Sequence, residues 1–201
     1  MSPFPLGRPA RLAVLASGRG SNLEALLRAF PPEDALGQVV LVISDRRGAP
    51  ALQKAARAGV EAEYLPWPKG EGGRACFEEA AGQLLRERRI DLVLLAGFMR
   101  ILSPQFVDQW AGRILNIHPS LLPAFPGLHA QRQALQAGVR ETGCTVHFVD
   151  AGVDTGPIIL QRRVPVLPGD TEETLSARIL EQEHLAYPEA VRRVLRGEVQ
   201  P

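Results

Sequence analysis

The sequence predicts an α/β fold built on an open, mostly parallel, twisted sheet. Short, continuous apolar runs are typical of strands buried on both faces, and segments with helical spacing of apolar residues stand between them. Strands are predicted at residues 12–16, 39–43, 60–65 and 91–96. Helices are predicted at 21–30, 51–58 and 74–88. Strands and helices that alternate in this way favour parallel strands joined by right-handed crossovers.

The second half of the chain departs from this alternation. Residues 113–118 predict a fifth strand, which Pro119 ends because proline has no amide hydrogen for the ladder. The remaining elements are a helix near 129–137, β-rich stretches at 144–149 and 157–166, and a long helix after Thr171. The two β-rich stretches predict an antiparallel hairpin extension of the sheet, and the long helix closes the chain.

Composition narrows the class of protein. The chain of 201 residues has a net charge of +1, with 45% hydrophobic and 22% charged residues, so nothing indicates a nucleic-acid surface. Two cysteines are too few for a disulfide framework or a zinc cage, and no apolar run has the length of a membrane span. We expect a cytoplasmic protein, monomeric or homodimeric, with a loose N-terminal arm over residues 1–10 and one domain over residues 11–201.

Two polar side chains stand at the end of the fifth predicted strand. Asn116 and His118 project to the same face, about 7 Å apart along the strand, because side chains alternate with period two. An amide and a protonated imidazole are suitable donors for a developing oxyanion. The structural alternative is a strand end with two satisfied polar residues, and this stretch alone does not decide between them.

A glycine-rich loop over residues 17–22 follows the first strand and opens a helix. Its backbone amides and the helix dipole favour a phosphate. Asn22 stands where a dinucleotide fingerprint has its third glycine, so we interpret the loop as a monophosphate site. A tight turn that binds nothing is the alternative. Ser21 and Glu24 have the spacing of a capping box, which starts the helix at Ser21.

A second glycine-rich loop, residues 150–157, contains two candidate carboxylates. Asp150 or Asp154 beside His118 would orient the ring and favour its protonated form. The residues alone do not choose between the two, and an Asx turn is the structural alternative. His129 and His147 are interpreted mainly as structural histidines with a smaller chance of direct function. The histidines and cysteines show no metal-ligand spacing.

Several motifs together carry a family resemblance. ASGRGSNLEAL, LAGFMRILSP, NIHPSLLPAFPGLHAQRQAL, TVHFVDAGVDTGPIILQ and QEHLAYP closely resemble the folate-dependent phosphoribosylglycinamide formyltransferases, over roughly residues 11–195. The resemblance implies a Rossmann-like formyltransferase fold. It implies formyl transfer from 10-formyltetrahydrofolate to the amine of glycinamide ribonucleotide, in purine synthesis, without a metal or a covalent enzyme intermediate.

The same resemblance implies site residues in this chain. The catalytic trio is Asn116, His118 and Asp154, which selects Asp154 over Asp150. The ribonucleotide site is Gly20, Ser21, Asn22 and Glu183. The folate site is Arg74, Met99, Arg100, Ile101, Leu102, Asn116, Asp150, Ala151, Gly152, Val153 and Asp154. Residues 11–110 are thus the ribonucleotide-binding half, and residues 111–201 are the catalytic and folate-binding half. Arg100 or Arg74 is a candidate partner for the glutamate carboxylates of the folate.

Three other functions compete with this one. Methionyl-tRNA formyltransferases share a similar core but usually add an RNA-binding domain, and formyltetrahydrofolate deformylases normally add an N-terminal regulatory domain. A non-catalytic nucleotide-binding module would explain residues 17–22 but would leave Asn116, His118 and Asp154 unexplained.

Overall fold

The computed structural model describes residues 2–201 and contains one seven-stranded sheet. Its strands are β1 (Ala10–Leu15), β2 (Gly37–Ser44), β3 (Glu61–Tyr64), β4 (Leu92–Leu95), β5 (Ile114–His118), β6 (Glu141–Phe148) and β7 (Ile158–Pro165). Its helices are α1 (Ser21–Ala29), α2 (Pro50–Arg57), α3 (Gly73–Glu87), α4 (Pro104–Gln109), α5 (Ala130–Ala137) and α6 (Glu172–Leu195). The predicted α/β class is confirmed.

The strand order is β3-β2-β1-β4-β5-β6-β7. The first five strands are parallel, whereas β6 pairs antiparallel with β5 and with β7, so the predicted hairpin extension is confirmed. The chain first builds outward from β1 through β2 to β3, and then continues on the other side of β1 with β4. A crevice opens at such a reversal, at the carboxyl ends of the strands, and it is where open α/β sheets bind ligands.

Two separate cores cover the sheet unequally. One core joins β1 and the later strands to α1, α2, α5 and α6. The other core packs α3 and α4 on the opposite face, against β1, β2 and β4, and reaches β5 only at Ile114. On the hairpin side, this face of the sheet is therefore covered by loops and not by an apolar helix. Loops can place polar groups against the sheet.

The start of α1 differs from the prediction. Ser21 is the first helical residue, but the N-cap is Gly20 in a left-handed conformation with φ 73°, and no side chain caps the helix. The Glu24 carboxylate instead pairs with Arg28 at 2.6 Å and Lys54 at 3.2 Å. The capping box is therefore wrong, because the N-cap lies one residue earlier, so Ser21 and Glu24 take the first and fourth helical positions instead of the N-cap and the third helical position.

Helix α4 has no counterpart among the predicted elements. Ser103 caps it by accepting a hydrogen bond from the amide of Phe106 at 3.1 Å, and Pro104 takes the first helical position. Six residues are too few for helical periodicity to be visible in the sequence, although the Ser-Pro pair is a start signal.

The N-terminal arm is packed over residues 2–9 rather than loose. Phe4 is 4% exposed and belongs to the core that contains α6. Arg8 makes a bidentate pair with Asp91, with distances of 2.7 and 2.9 Å. Residue 10, expected in the arm, begins β1.

We predict that Phe4→Ala destabilises the fold without impairing turnover. Removing a buried phenyl ring costs about 3 kcal/mol, and Phe4 lies before β1, at the amino end of the strand. Urea unfolding should report the loss while kcat stays within about twofold. The control, Arg8→Ala, breaks an exposed ion pair and should cost about 1 kcal/mol or less. An equally small loss for both variants would show that the arm is not docked.

Candidate active site

The crevice at the carboxyl ends of β1 and β4 is held together by backbone and hydroxyl groups. The amide of Ser17 donates to the carbonyl of Gly97 at 3.1 Å, and its hydroxyl accepts from the amide of Met99 at 2.9 Å. The loops that follow the two strands are thereby joined at the point where the strand order reverses. The glycine-rich loop over residues 17–22, for which the sequence predicts a ligand site, lies at this edge of the sheet.

The side chains of β5 divide between the two faces of the sheet. Leu115 and Ile117 lie in the core with α6, so Asn116 and His118 project to the opposite face, as the strand period predicts. On β6, Thr145 and His147 alternate in the same way with Val146 and Phe148, which belong to the α6 core. The face of β5 and β6 that the helices leave open is therefore lined by polar groups.

Both ring nitrogens of His118 have partners. Its Nε2 lies 2.8 Å from the carbonyl oxygen of Phe125, and its Nδ1 lies 3.4 Å from Oδ2 of Asp154. Both partners are acceptors only, so each ring nitrogen faces a group to which it can donate when it carries a hydrogen. The ring is almost fully buried.

The structure brings Asp154, and not Asp150, to His118. The Asp150 carboxylate accepts from the amide of Gly152 at 3.0 Å and the hydroxyl of Thr155 at 2.6 Å, which is an Asx turn. Asp154 adopts a left-handed conformation with φ 54°. A non-glycine residue at such a φ costs about 1 kcal/mol or more, and such strain collects at functional sites.

His147 is a member of the site that the sequence did not single out. It lies opposite Asn116 in the antiparallel register, and its Nε2 is 3.3 Å from Nδ2 of Asn116. Its Nε2 is also 3.8 Å from Oδ1 of Asp154, and its Nδ1 is 2.8 Å from the carbonyl oxygen of Phe148. Burial is the main cause that lowers the pKa of His147. His129, which had the same weight as His147, is exposed at the N-cap of α5.

The predicted ribonucleotide residues meet on the face covered by α1 and α6. Glu183 is buried, and its Oε2 lies 3.5 Å from Nδ2 of Asn22, a long contact. Burial raises the pKa of Glu183 to about 7. The Oδ1 of Asn22 is buried and has no hydrogen-bond partner among residues 2–201. Two acceptors short of donors suit a ligand that brings N–H or O–H groups.

Gly20 explains how Ser21 and Asn22 are placed. A β-carbon at Gly20 would lie 3.0 Å from the Cα of Ala51, and φ 73° is strained for any other residue. The carbonyl of Gly18 also accepts from the amide of Ala51 at 3.2 Å. Glycine therefore lets the loop pack against the start of α2, with the amide ends of α1 turned toward the crevice.

The predicted folate residues include several exposed apolar groups. Met99 is 58% exposed, Ile101 65% and Val153 50%, whereas Leu102 is buried. Ala151 and Gly152 lie in the exposed loop between β6 and β7. Large side chains left in solvent on neighbouring loops are characteristic of a surface that binds an apolar or aromatic ligand.

The two candidate arginines differ in their surroundings. The Nε of Arg100 donates to Oδ2 of Asp45 at 2.7 Å, and its guanidinium stacks over the ring of Trp67 at 5.0 Å. Asp45 in turn accepts from the hydroxyl of Ser17 at 2.6 Å. Arg74 is exposed at the start of α3 and makes no ion pair within the described chain. Arg74 is therefore more available than Arg100 to pair with a carboxylate of a ligand.

Residues 2–201 show neither a metal-binding cluster nor a membrane-spanning helix. Between residues 2 and 201, no group of three or more His, Cys, Asp or Glu side chains is arranged to hold a metal ion. No helix in that range combines the length and apolarity that a membrane crossing requires.

The fold and the polar cluster define an α/β formyltransferase type of protein, and comparisons agree. The model of the formyl transferase family matches residues 10–191. Phosphoribosylglycinamide formyltransferase of Escherichia coli (strain K12) is 46% identical over 177 residues, which are 88% of this chain and 83% of that protein. The crystal structure of glycinamide ribonucleotide transformylase 1 from Symbiobacterium toebii superposes with a TM-score of 0.89 at 51% identity, and covers 96% of this chain and 90% of that one.

Some relatives are much longer than this chain. The trifunctional purine biosynthetic protein adenosine-3 of Drosophila pseudoobscura pseudoobscura is 51% identical over 183 residues, which are 90% of this chain but 13% of that protein. The chain belongs to the formyl transferase family, and within it to the phosphoribosylglycinamide formyltransferases.

We predict that Glu183→Gln stabilises the fold above pH 7. The folded carboxyl keeps its proton up to a pKa of about 7, against 4.5 for an ordinary glutamate. The unfolded chain therefore loses this proton first, and the stability from Glu183 falls as pH rises from about 4.5 to 7. At about 1.4 kcal/mol per pH unit, the neutral variant gains on the order of 3 kcal/mol at pH 8.

Urea unfolding of both proteins at pH 5 and pH 8 measures this difference. Glu189→Gln is the matched control on the same helix, because ion pairs with Arg162 and Arg193 lower the pKa of Glu189. This control should lower stability at pH 8. If Glu183→Gln also lowers it, Glu183 is not held as an acid in the fold.

Proposed function

We propose that this chain transfers the formyl group of 10-formyltetrahydrofolate to the amine of glycinamide ribonucleotide. The products are formylglycinamide ribonucleotide and tetrahydrofolate, and the reaction is a step of de novo purine (IMP) biosynthesis. The observation that carries the proposal is the cluster of Asn116, His118 and Asp154 at the end of β5, in a chain of this family.

The cluster suits the charge that develops in this reaction. When an amine attacks a formyl carbon, negative charge develops on the formyl oxygen. Asn116 uses one amide hydrogen toward His147, and its second hydrogen has no partner within residues 2–201, so it is free to donate to that oxygen. His118 contributes a positive charge, which is worth most in a buried site where water does not screen it.

The position of the His118 proton follows from its partners. Its two nitrogens face the carbonyl of Phe125 and the carboxylate of Asp154. In this arrangement the ring stabilises the oxyanion through its charge. A direct N–H hydrogen bond from the ring to the oxyanion would require the carbonyl of Phe125 to move away first. Asp154 orients the ring through Nδ1 and favours its charged form.

The ribonucleotide is proposed to span the edge of the sheet. Asn22 and Glu183 lie on the face of α1 and α6, whereas Asn116 and His118 project from the opposite face. An extended ligand can place its phosphate at the amide ends of Gly20, Ser21 and Asn22 and direct its amine toward β5. The underused acceptors of Asn22 and Glu183 would receive its N–H groups.

The formyl donor is proposed to lie on the exposed apolar groups of two loops. Met99, Ile101 and Val153 would cover its flat rings, with Leu102 beneath them. Arg74, rather than the engaged Arg100, is proposed to pair with the glutamate carboxylates. The backbone of residues 150–154 would complete this site, with Asp150 acting through its Asx turn and not through a free carboxylate.

The setting proposed for the reaction is the cytoplasm, with small molecules as partners and a monomer or homodimer as the active form. Cys76 and Cys144 are both free, and burial raises the pKa of Cys144 to about 12, so its thiol is unreactive. Residues 11–110 supply the ribonucleotide loop, and residues 111–201 supply β5 and the catalytic groups.

We predict that Asn116→Ala lowers kcat by about 100-fold to 1,000-fold, because one oxyanion donor is removed. His118→Ala should lose as much or more. A formyl-transfer assay with both substrates measures kcat and KM, and circular dichroism confirms the fold. Near-normal turnover in either variant would remove that residue from the catalytic set. No activity in the wild-type protein would reject the proposed reaction.

The two aspartates form a matched pair for a further prediction. Asp154→Asn removes the charge beside His118 and should lower kcat by about 100-fold or more, with smaller changes in KM. Asp150→Asn keeps an acceptor for Gly152 and Thr155 and should leave kcat within about fivefold. Equal losses in the two variants would show that loop shape, and not the carboxylate at His118, limits the rate.

A further inference from the structure

We propose that His147 is a positioning residue, which fixes the orientation of the Asn116 carboxamide and thereby the place of its donor N–H. The proposal rests on the proposed function, because it concerns the oxyanion donor of that reaction. His147 is buried on β6, directly across the strand pair from Asn116. Its role would be exerted through Asn116, without contact with the reacting atoms.

The hydrogen bonds of His147 define its tautomer. Nδ1 lies 2.8 Å from the carbonyl oxygen of Phe148, which can only accept, so the ring hydrogen is on Nδ1. Nε2 then carries a lone pair. The atom that faces this lone pair, at 3.3 Å, is Nδ2 of Asn116, which has hydrogens to donate.

This tautomer selects one of the two orientations of the amide. With Nδ2 toward His147, one amide hydrogen is used and the other remains free in the open face of the sheet. Rotating the amide by a half-turn would bring Oδ1 against the Nε2 lone pair, where two acceptors repel each other. The rotation would also exchange nitrogen and oxygen, so an acceptor would replace the donor beside the reacting oxygen.

The selection requires His147 to be uncharged. A proton on Nε2 would turn a donor toward Nδ2 of Asn116, and would attract Oδ1 of Asp154 at 3.8 Å instead. The charged groups that face His147 are Asp154 and Asp150 from the β6–β7 loop, which favour its protonation, and His118 from β5, which opposes it. Burial outweighs the two carboxylates and lowers the pKa of His147, so the ring remains a neutral acceptor at neutral pH.

The first test observes the free wild-type protein. Long-range ¹H–¹⁵N NMR of the imidazole rings distinguishes a protonated nitrogen from one with a lone pair. At pH 8 we expect His147 to be the Nδ1–H tautomer, with Nε2 unprotonated. An Nε2–H tautomer would overturn the proposal, because that nitrogen could not accept from Asn116.

The second test is a double-mutant cycle in the formyl-transfer assay. His147→Phe keeps the ring volume but removes the acceptor, and should lower kcat about 10-fold to 100-fold, with both KM values within about threefold. The loss is smaller than for Asn116→Ala because the amide is still present part of the time. The double variant His147→Phe/Asn116→Ala should turn over within about threefold of Asn116→Ala alone. Multiplied losses would overturn the proposal.

Two further variants separate positioning from structural damage. His147→Gln offers a non-titrating acceptor, so it should keep kcat within about fivefold of wild type at neutral pH. It should also retain more of its activity than wild type does once the pH is low enough to protonate His147. A Gln variant as slow as the Phe variant would overturn the proposal. As the control cycle, His147→Phe combined with Glu183→Gln should give multiplied effects, because the two residues lie on opposite faces of the sheet.

The outcomes also separate this inference from the proposed function. A wild-type protein that transfers no formyl group rejects the proposed function, whereas the NMR tautomer tests the His147–Asn116 contact in the free protein. If His147→Phe does not fold, the wild-type tautomer and the pH profile of His147→Gln still decide the matter.

Discussion

The carboxylate of Asp154 joins the parts of the proposed catalytic cluster. One oxygen, Oδ2, accepts from the amide of Gly127 at 2.8 Å and lies 3.4 Å from Nδ1 of His118, while Oδ1 faces His147. Desolvating a carboxylate is expensive unless donors compensate it, and here the amide of Gly127 donates to it and the ring of His118 lies beside it. One side chain of the loop after β6 therefore holds both the loop after β5, through Gly127, and the strand residue His118. The placement of this carboxylate requires Asp154 to adopt a strained, left-handed backbone conformation.

The change from parallel to antiparallel pairing at β5 creates the surface on which this cluster forms. In the parallel half, helices pack apolar side chains against both faces of the sheet. Beyond β5 one face carries loops, and Thr145 anchors them by accepting from the amide of Leu122 and donating to the carbonyl of Ser120. Polar groups on β5 and β6 then face each other across a strand pair, which makes cross-strand contacts such as that of Asn116 with His147 possible.

These contacts explain which features of the site can be predicted from the sequence and which cannot. Continuous apolar runs locate the strands, and the period of two places Asn116 and His118 on one face, because both signals are local. Asp154 was selected over Asp150 by family resemblance, since the bend of a loop is not encoded in residue spacing. His147 was given little weight because its role depends on the β5–β6 register, a long-range property. The capping box at Ser21 is wrong for a similar reason: Gly20, which packs closely against Ala51 of α2, takes the N-cap position instead.

Burial shifts the pKa values of two groups of the site in opposite directions, and both shifts favour the uncharged form. It lowers the pKa of His147 and raises that of Glu183 to about 7, so each group is held toward its neutral form. A neutral His147 can accept from Asn116, whereas Glu183 is the better acceptor for an amine once it has lost its proton. As pH falls below about 7, Glu183 gains its proton first and weakens as an acceptor at the proposed ribonucleotide site, before protonation of His147 disturbs the proposed oxyanion donor. The acid side of the reaction should therefore begin as a loss of ribonucleotide affinity and become a loss of turnover only at lower pH.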